Sequence, residues 1–445
     1  MCFPSGIVLY PEEMVQLIIS DVGPITQTAK IEFERFCILI GPQSNGKSTI
    51  AKILSTCQWI EKEACTTLQE KFIKNGDDFK KLVEDFHRMH NYIHEDQSVI
   101  EYHSPYINIV YNKGNFAISF NDNLSYRRKK ISYIPSDRNV VTMKDIEKRD
   151  LEPTNFRSFL FDWLETNRHF DESHRMPILN LGVEYYYDSN AKDRNDKLTH
   201  ANGLSYTIPL YDASSGMQSM VPMIVLMHYL VSGYIENYGK DISFDQQQKE
   251  VELAWKITEC VTAKYYPQQD PSANYRKVYS EMIKSKADIN DPDAMKIIGE
   301  MKGLFDNFVH PKTMSFILEE PEQNIFPKTQ VDLFNDIIST CNFGTQSSAF
   351  ITTHSPYLLA SANILLFAGK LVDLGIDEEA IAKIVDTHKF IHEHEFSAYT
   401  VSGGTCHSII DDNTHLIKEN ELDSASEYNN DVFQQLYRLY TNKLS

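Results

Sequence analysis

The mostly apolar segment 15–19 and the alternating segment 31–34 read as strands. Phe36-Cys37-Ile38-Leu39-Ile40 is apolar throughout, which fits a strand buried in a parallel sheet. From Thr49 to Leu54 the apolar spacing becomes helical. A polar stretch, about 57 to 97, carries Leu68, Phe72, Phe79, Leu82, Phe86 and Met89 mostly three or four residues apart, the mark of a helix with one buried stripe. Residues 106–111 and 115–120 flank the turn residues Asn112, Lys113 and Gly114, which predicts a hairpin or meander within a β-rich patch at about 99–134. Helices mixed with short strands are expected over 141–200, and a strongly apolar helix from Met217 to Tyr238. A polar helical stretch runs from about 240 to 308, interrupted by Pro267 and Pro271. Alternating apolar and β-rich runs fill 313–404, and the tail starts strand-like and ends in an acidic helix. There is no internal repeat and no low-complexity tract.

Between the buried strand and the first helix stands Gly41-Pro42-Gln43-Ser44-Asn45-Gly46-Lys47-Ser48-Thr49, a GxxxxGKS phosphate-binding loop. Gly41 and Gly46 let the backbone turn its N–H groups inward, and the helix N-terminus that follows favours an anion. Lys47 supplies charge to the phosphates, and Ser48 is placed to ligate Mg²⁺.

Downstream, the apolar run 313–318 ends in Glu319-Glu320-Pro321-Glu322. Two adjacent carboxylates at a strand end suit a nucleotide hydrolase: Glu319 for the Mg²⁺ shell and Glu320 to orient or polarise the attacking water. A second short strand ends at Thr352-Thr353-His354-Ser355-Pro356, where His354 can donate to a γ-phosphate oxygen. Asp212-Ala213-Ser214-Ser215-Gly216 opens the apolar helix, as an anion nest or as a simple serine N-cap. The basic run Arg127-Arg128-Lys129-Lys130 reads as a solvated strand end, with phosphate contact as the other reading.

Composition narrows the partners. At 445 residues the chain can hold a large core and more than one domain, and 42% hydrophobic and 11% aromatic content describes an ordered protein. A formal charge of −19 means that any nucleic-acid-binding face must be local. The seven cysteines include no CxxC pair, which argues against structural zinc or a disulfide framework and fits a reducing cytoplasm. No run of about 18 apolar residues predicts a spanning helix, and the start, with Glu12 and Glu13, lacks the pattern of a secretion signal.

Taken in order, GPQSNGKS, SSGMQS, ILEEPE and TTHSP resemble the ABC-type ATPase head. The set is most similar to stand-alone soluble ATPases of the AAA family that include the OLD-type ATPases and the ATPase subunits of bacterial anti-phage defence systems of the PARIS or Septu type. The run Glu320-Pro321-Glu322 continuing to Pro327 fits their EPExxxxP motif, and 133–138 and 396–422 resemble further elements. The resemblance implies an α/β fold: an ABC-ATPase-like P-loop head with a mixed β-sheet and helical insertions. The head would begin at 1–56, pass through a helical and β-meander insertion at 57–210, the signature helix at 211–239 and a helical insertion at 240–308, and close at 309–445.

The same resemblance implies ATP and Mg²⁺ as cofactors. The phosphate-contacting set would be Gly41, Gln43, Ser44, Asn45, Gly46, Lys47, Ser48 and Thr49, with Ser48 and Glu319 on the metal. Ser214, Ser215 and Gly216 would reach a nucleotide on a second subunit. Glu320 would be the catalytic carboxylate and His354 the switch histidine. Two departures stand out: Glu319 replaces the usual Asp, and Ser215 or Met217 stands where a glycine is common. No convincing glutamine loop is present, although Arg138 lies nearby.

The expected function is a homo-oligomeric ATPase serving as sensor or scaffold in anti-phage defence, with a separately encoded effector such as a nuclease. The roughly 90 residues after His354 are too few for a fused nuclease domain, and the insertion at 240–308 is a candidate contact surface. Two alternatives stay open: a DNA repair or recombination ATPase that clamps DNA, and an ATP-binding assembly module with little turnover.

Overall fold

The computed structural model describes residues 14–67, 72–121, 126–193, 195–200, 206–238, 244–265, 292–343, 347–418 and 432–436. Leu68, Pro267, Pro271 and most of the expected acidic tail helix lie outside them.

Three sheets form among the described residues. The central one has six strands in the order β15-β14-β3-β13-β12-β7. These are β3 (Phe36–Ile40), β7 (Lys129–Ile134), β12 (Thr313–Glu319), β13 (Ser348–Thr352), β14 (Phe396–Ser402) and β15 (Thr405–Ser408). All neighbours pair in parallel except the β14–β15 hairpin, so the sheet is mixed, as expected. A five-stranded antiparallel sheet joins β1 (Val15–Ser20) and β2 (Ala29–Phe33) to the meander β4 (Val99–His103), β5 (Ile107–Asn112) and β6 (Asn115–Phe120). Four short antiparallel strands, β8 to β11, fall within 176–209.

The apolar run of β3 is explained by two cores, one on each face. Cys37 and Leu39 enter the core shared with the antiparallel sheet, whereas Phe36, Ile38 and Ile40 enter the other. Strand β12 divides the same way, with Ile317 on one side and Met314, Phe316 and Leu318 on the other. Alternation with period two thus feeds both layers, and no position is left polar for solvent.

Helices of eight or more residues cover these cores. They are α1 (Lys47–Thr67), α2 (Gly76–His87), α3 (Asn155–Thr166), α4 (Ser215–Tyr229), α5 (Phe244–Tyr265), α6 (Pro292–Val309), α7 (Pro327–Asn342) and α8 (Pro356–Asp373). The single striped helix expected over 57–97 is instead two. Asn75 caps the second by accepting from the Asp78 amide, and Arg88 closes it in a left-handed conformation. The 313–404 stretch is not mostly β: α7 and α8 occupy its middle, each opened by a proline at its first turn.

Helix α4 continues through a π-turn to Asn237, and Ser215–Asn237 is long and apolar enough to cross a membrane. Its most apolar window is 67% buried inside the protein, where it packs as a core helix. From the 240–308 insertion, Leu253, Ile257, Val261, Ile297, Met301 and Phe308 join the core that holds α1. No disulfide joins the described cysteines.

Candidate nucleotide site

The parallel strands deliver four segments to one edge of the sheet. Register sets Glu319 beside Thr352, and Thr352 beside Leu39. The end of β12 is therefore two strand spacings, roughly 10 Å, from the end of β3. Strand β13 lies between them, so the turn carrying His354 falls between the P-loop and the paired carboxylates.

The loop after β3 is built on backbone freedom. Gly41 has φ 141° and Gly46 φ 105°. A Cβ on Gly41 would lie 2.2 Å from the Val401 carbonyl oxygen, and one on Gly46 would lie 2.5 Å from Ile25 Cδ1. Gln43, Ser44 and Ser48 are exposed, Asn45 is half-buried, and Gly41, Gly46, Lys47 and Thr49 are buried. Lys47 Nζ donates to the Gly41 and Pro42 carbonyls at 2.8 and 2.9 Å. Burial holds its pKa below the ordinary lysine value, while the charges of Glu320 and Glu322 act in the opposite sense.

Glu320 takes the left-handed conformation, φ 44°, directly after β12, and its N–H still donates to the Thr352 carbonyl at 2.9 Å. A non-glycine residue held there is strained, and the surroundings impose it. His354 Nε2 lies 3.6 Å from Glu320 Oε1. The bond to His354 is the main reason the Glu320 carboxyl sits below the usual carboxylate range, with Lys47 and Arg138 adding to it. Glu322 fixes the histidine from behind, accepting from Thr353 Oγ1 at 2.7 Å and from the His354 N–H at 2.8 Å. Ser355 then caps α8 through the Tyr357 and Leu358 amides.

Glu319 is buried, and Ser136 N–H donates to its Oε2 at 3.3 Å. Its Oε1 has no hydrogen-bond partner among the described residues. The Tyr133 hydroxyl, itself buried without a partner among the described residues, stands near this carboxylate. A buried carboxylate oxygen is costly unless such a donor, a cation or a cation-bound water satisfies it; the position thus admits Mg²⁺ without requiring it. Among the described residues no group of three His, Cys, Asp or Glu side chains could hold a metal alone. A magnesium ion here would draw its remaining ligands from Ser48, phosphate and water.

The structure adds a residue that sequence reasoning undervalued. Arg138 is fully buried, and its guanidinium donates to five main-chain carbonyls: Pro135, Ser219, Glu319, Glu320 and Pro321, at 2.8–3.2 Å. Burial lowers its pKa to about 10, so it stays charged at neutral pH. This one side chain ties β7, α4 and the carboxylate turn together.

Ser214 and Ser215 sit exposed at the start of α4, and Ser214 makes no side-chain capping bond. Gly216 packs against the turn after the carboxylates, where a Cβ would come 2.6 Å from the Asn324 carbonyl oxygen. Among the described residues no hydrogen bond or ion pair joins Ser214, Ser215 or Gly216 to the P-loop. The structure thus gathers the P-loop, Glu319, Glu320 and His354, and leaves the helix start facing outward.

No protein-family model matches the chain, and no curated protein does. Among solved structures, the SMC head domain from Thermotoga maritima is similar at 8% identity and TM-score 0.37, over 89% of this chain and 98% of that one. The recombination mediator protein RecF with bound ATPγS matches at 8% identity and TM-score 0.29, over 89% of this chain and 98% of that one. An ATP-binding cassette of an ABC transporter in its ADP conformation matches at 11% identity and TM-score 0.24, over 89% and 90%. At such identities and scores, what this site does has to come from its own side chains.

Both positioning residues left a trace in the sequence. Arg138 ends the Tyr133–Arg138 run, and Glu322 ends Glu-Glu-Pro-Glu. The trace was weak because their partners are set by the fold: Arg138 grips carbonyls of distant segments, and Glu322 holds the Thr353 hydroxyl and the His354 N–H.

Proposed function

We propose that the chain is a Mg²⁺-dependent ATP hydrolase of the ABC type, its head formed from 1–56 and 309–445 around the P-loop. The observation that carries this reading is the convergence of the buried Lys47, the strained Glu320 and His354 on one sheet edge. Lys47 would exchange its loop carbonyls for β- and γ-phosphate oxygens, joined by the loop's inward amides. Glu320, held ionised, would accept a proton from the attacking water, and His354 would donate to the γ-phosphate. Magnesium held by Ser48 and Glu319 would neutralise charge developing between the phosphates. Ser214, Ser215 and Gly216 would complete the site of a second copy. On the motif resemblance, the ATPase would serve anti-phage defence as sensor or scaffold for a separate effector such as a nuclease.

Two variants separate binding from chemistry. Lys47→Ala abolishes ATP binding in calorimetry. Glu320→Gln keeps ATP binding and lowers phosphate release by about 10²-fold or more. Unchanged hydrolysis in Glu320→Gln refutes the catalytic assignment, and ATP binding by Lys47→Ala refutes the P-loop reading. Hydrolysis stimulated by duplex DNA, and lost with added salt, would turn the reading toward a DNA clamp.

A further inference from the structure

The basic run at 127–130 does not behave as a solvated strand end. Only Arg127 is exposed; Arg128, Lys129 and Lys130 are half-buried. The last three line a cavity of about 380 Å³ with Lys62 of α1, and no Asp or Glu lines it. In a chain of net charge −19, four cations meet at one concavity whose lining holds no anion, with Asp162 and Glu63 pairing two of them from outside that lining.

The cations differ in how far they are already committed. Lys130 is 2.6 Å from Asp162, and burial, which pulls its pKa down, is more than offset by that carboxylate. Arg128 donates to the Val309 carbonyl at 2.5 Å and lies over the Tyr238 ring. Lys62 has Glu63 at 3.4 Å, yet its pKa lies below the ordinary lysine value. Burial is the main cause, and the positive charges of Arg128 and Lys130 add to it. An anion in the cavity would relieve that repulsion.

Beside the cations, the lining is mostly aromatic and apolar, with Ser55, Thr56 and Ser158 as its small polar residues. Trp59, Phe86, Tyr133 and Tyr234 present rings. The volume falls within the range of small-ligand sites, which combine apolar walls with a few polar anchors. A ligand that carries both a flat ring and a phosphate matches both kinds of lining, which are interleaved: Lys130 itself lies over the Tyr234 ring. We propose that this cavity is a second nucleotide site, separate from the P-loop, that takes a mononucleotide with its phosphate on the lysines and its base among the aromatic rings. It is joined to the first site through α1, which starts at Lys47 and brings Trp59 and Lys62 to the cavity. Tyr133 is a second link: it lines the cavity and stands on β7 opposite Ile317 of β12, the strand that ends at Glu319.

The test uses the full chain carrying Lys47→Ala, so that P-loop binding does not contribute, and Trp255→Phe, so that Trp59 and the buried Trp163 remain as the tryptophans. AMP is titrated, followed by Trp59 fluorescence and by calorimetry. The expected result is saturable quenching at one AMP per chain. Ribose 5-phosphate, inorganic phosphate and adenosine should each bind at least about tenfold more weakly. Lys62→Gln should weaken AMP about tenfold or more. Ser158→Glu, an exposed substitution on the cavity wall that should not disturb folding, should do the same. No binding at millimolar AMP overturns the site. Binding untouched by both Lys62→Gln and Ser158→Glu places AMP elsewhere and also overturns it. Phosphate binding as tightly as AMP, or a thymidine oligonucleotide binding where AMP does not, overturns the mononucleotide assignment. None of these outcomes depends on whether the P-loop hydrolyses ATP.

Discussion

Arg138 and His87 show how much a single buried polar side chain can decide. The guanidinium of Arg138 spans carbonyls from three elements, and two of them belong to Glu319 and Glu320 themselves. Lysine has three donors on a point charge and cannot reproduce that planar fork. Arg138→Lys should therefore loosen the left-handed turn at Glu320 while the P-loop stays intact. The expected signature is a fall in kcat of about tenfold or more with KM for ATP nearly unchanged, because the lost interaction holds the catalytic group and not the substrate. A parallel rise in KM and loss of nucleotide binding would mean the residue supports the whole head instead.

His87 is the opposite case. It is buried at the end of α2 between Phe86 and Tyr133, and neither ring nitrogen has a partner among the described residues. Burial, helped by Lys52, lowers its pKa to about 3 from an ordinary 6.5. The folded state thus resists a proton that the unfolded chain accepts, and stability is full above pH 6.5 and falls as the pH drops below it. At pH 5 the loss is about 2 kcal/mol. His87→Leu should match or exceed the parent at pH 8 and show a much flatter acid limb in urea titrations. An acid limb of the same slope in His87→Leu would assign the sensitivity to other groups.

At the scale of elements, the parts legible in the sequence were those where one local rule suffices. The continuous apolar run of β3, the glycines of the loop and the helical spacing after Lys47 all point the same way, and the structure agrees. So do the strand ending at Glu319 and the one ending before His354. What failed needed information from outside the segment. The 57–97 stripe reads as one helix because the apolar spacing passes the break that Asn75 and Arg88 impose. The apolar residues of α8 face a core, so its composition imitates a buried strand run. The run Arg128–Lys130 looked solvated because sequence does not show that Lys62, Asp162 and Val309 fold against it. Gly216 is expected to reach a nucleotide on a second subunit; in this chain it also has to be glycine-sized, because the Asn324 carbonyl fills the space of a side chain.

For the whole molecule, the question is what completes the proposed nucleotide edge. The Glu320 side chain is 37% exposed and His354 23%, so the pair opens outward and is not sealed among the described residues. The start of α4 is also exposed, and Arg138 links that helix through Ser219 to the carboxylate turn. A second copy laying its Ser214–Gly216 on the phosphates would therefore press on a helix mechanically tied to its own Glu320. Two chains of −19 repel at long range, so contacts through a bound nucleotide would have to outweigh that repulsion, and moderate salt should strengthen pairing by screening. In Glu320→Gln, where ATP persists, light scattering after size exclusion should find a dimer with ATP and Mg²⁺ and a monomer without. Adding Ser214→Arg places a long cationic side chain at the contact. It should return the mass to the monomer while calorimetric ATP binding stays within about threefold. A double variant that dimerises normally with ATP would show that Ser214 is not at the shared site, and the reading of α4 as the second half of a neighbour's pocket would fall with it.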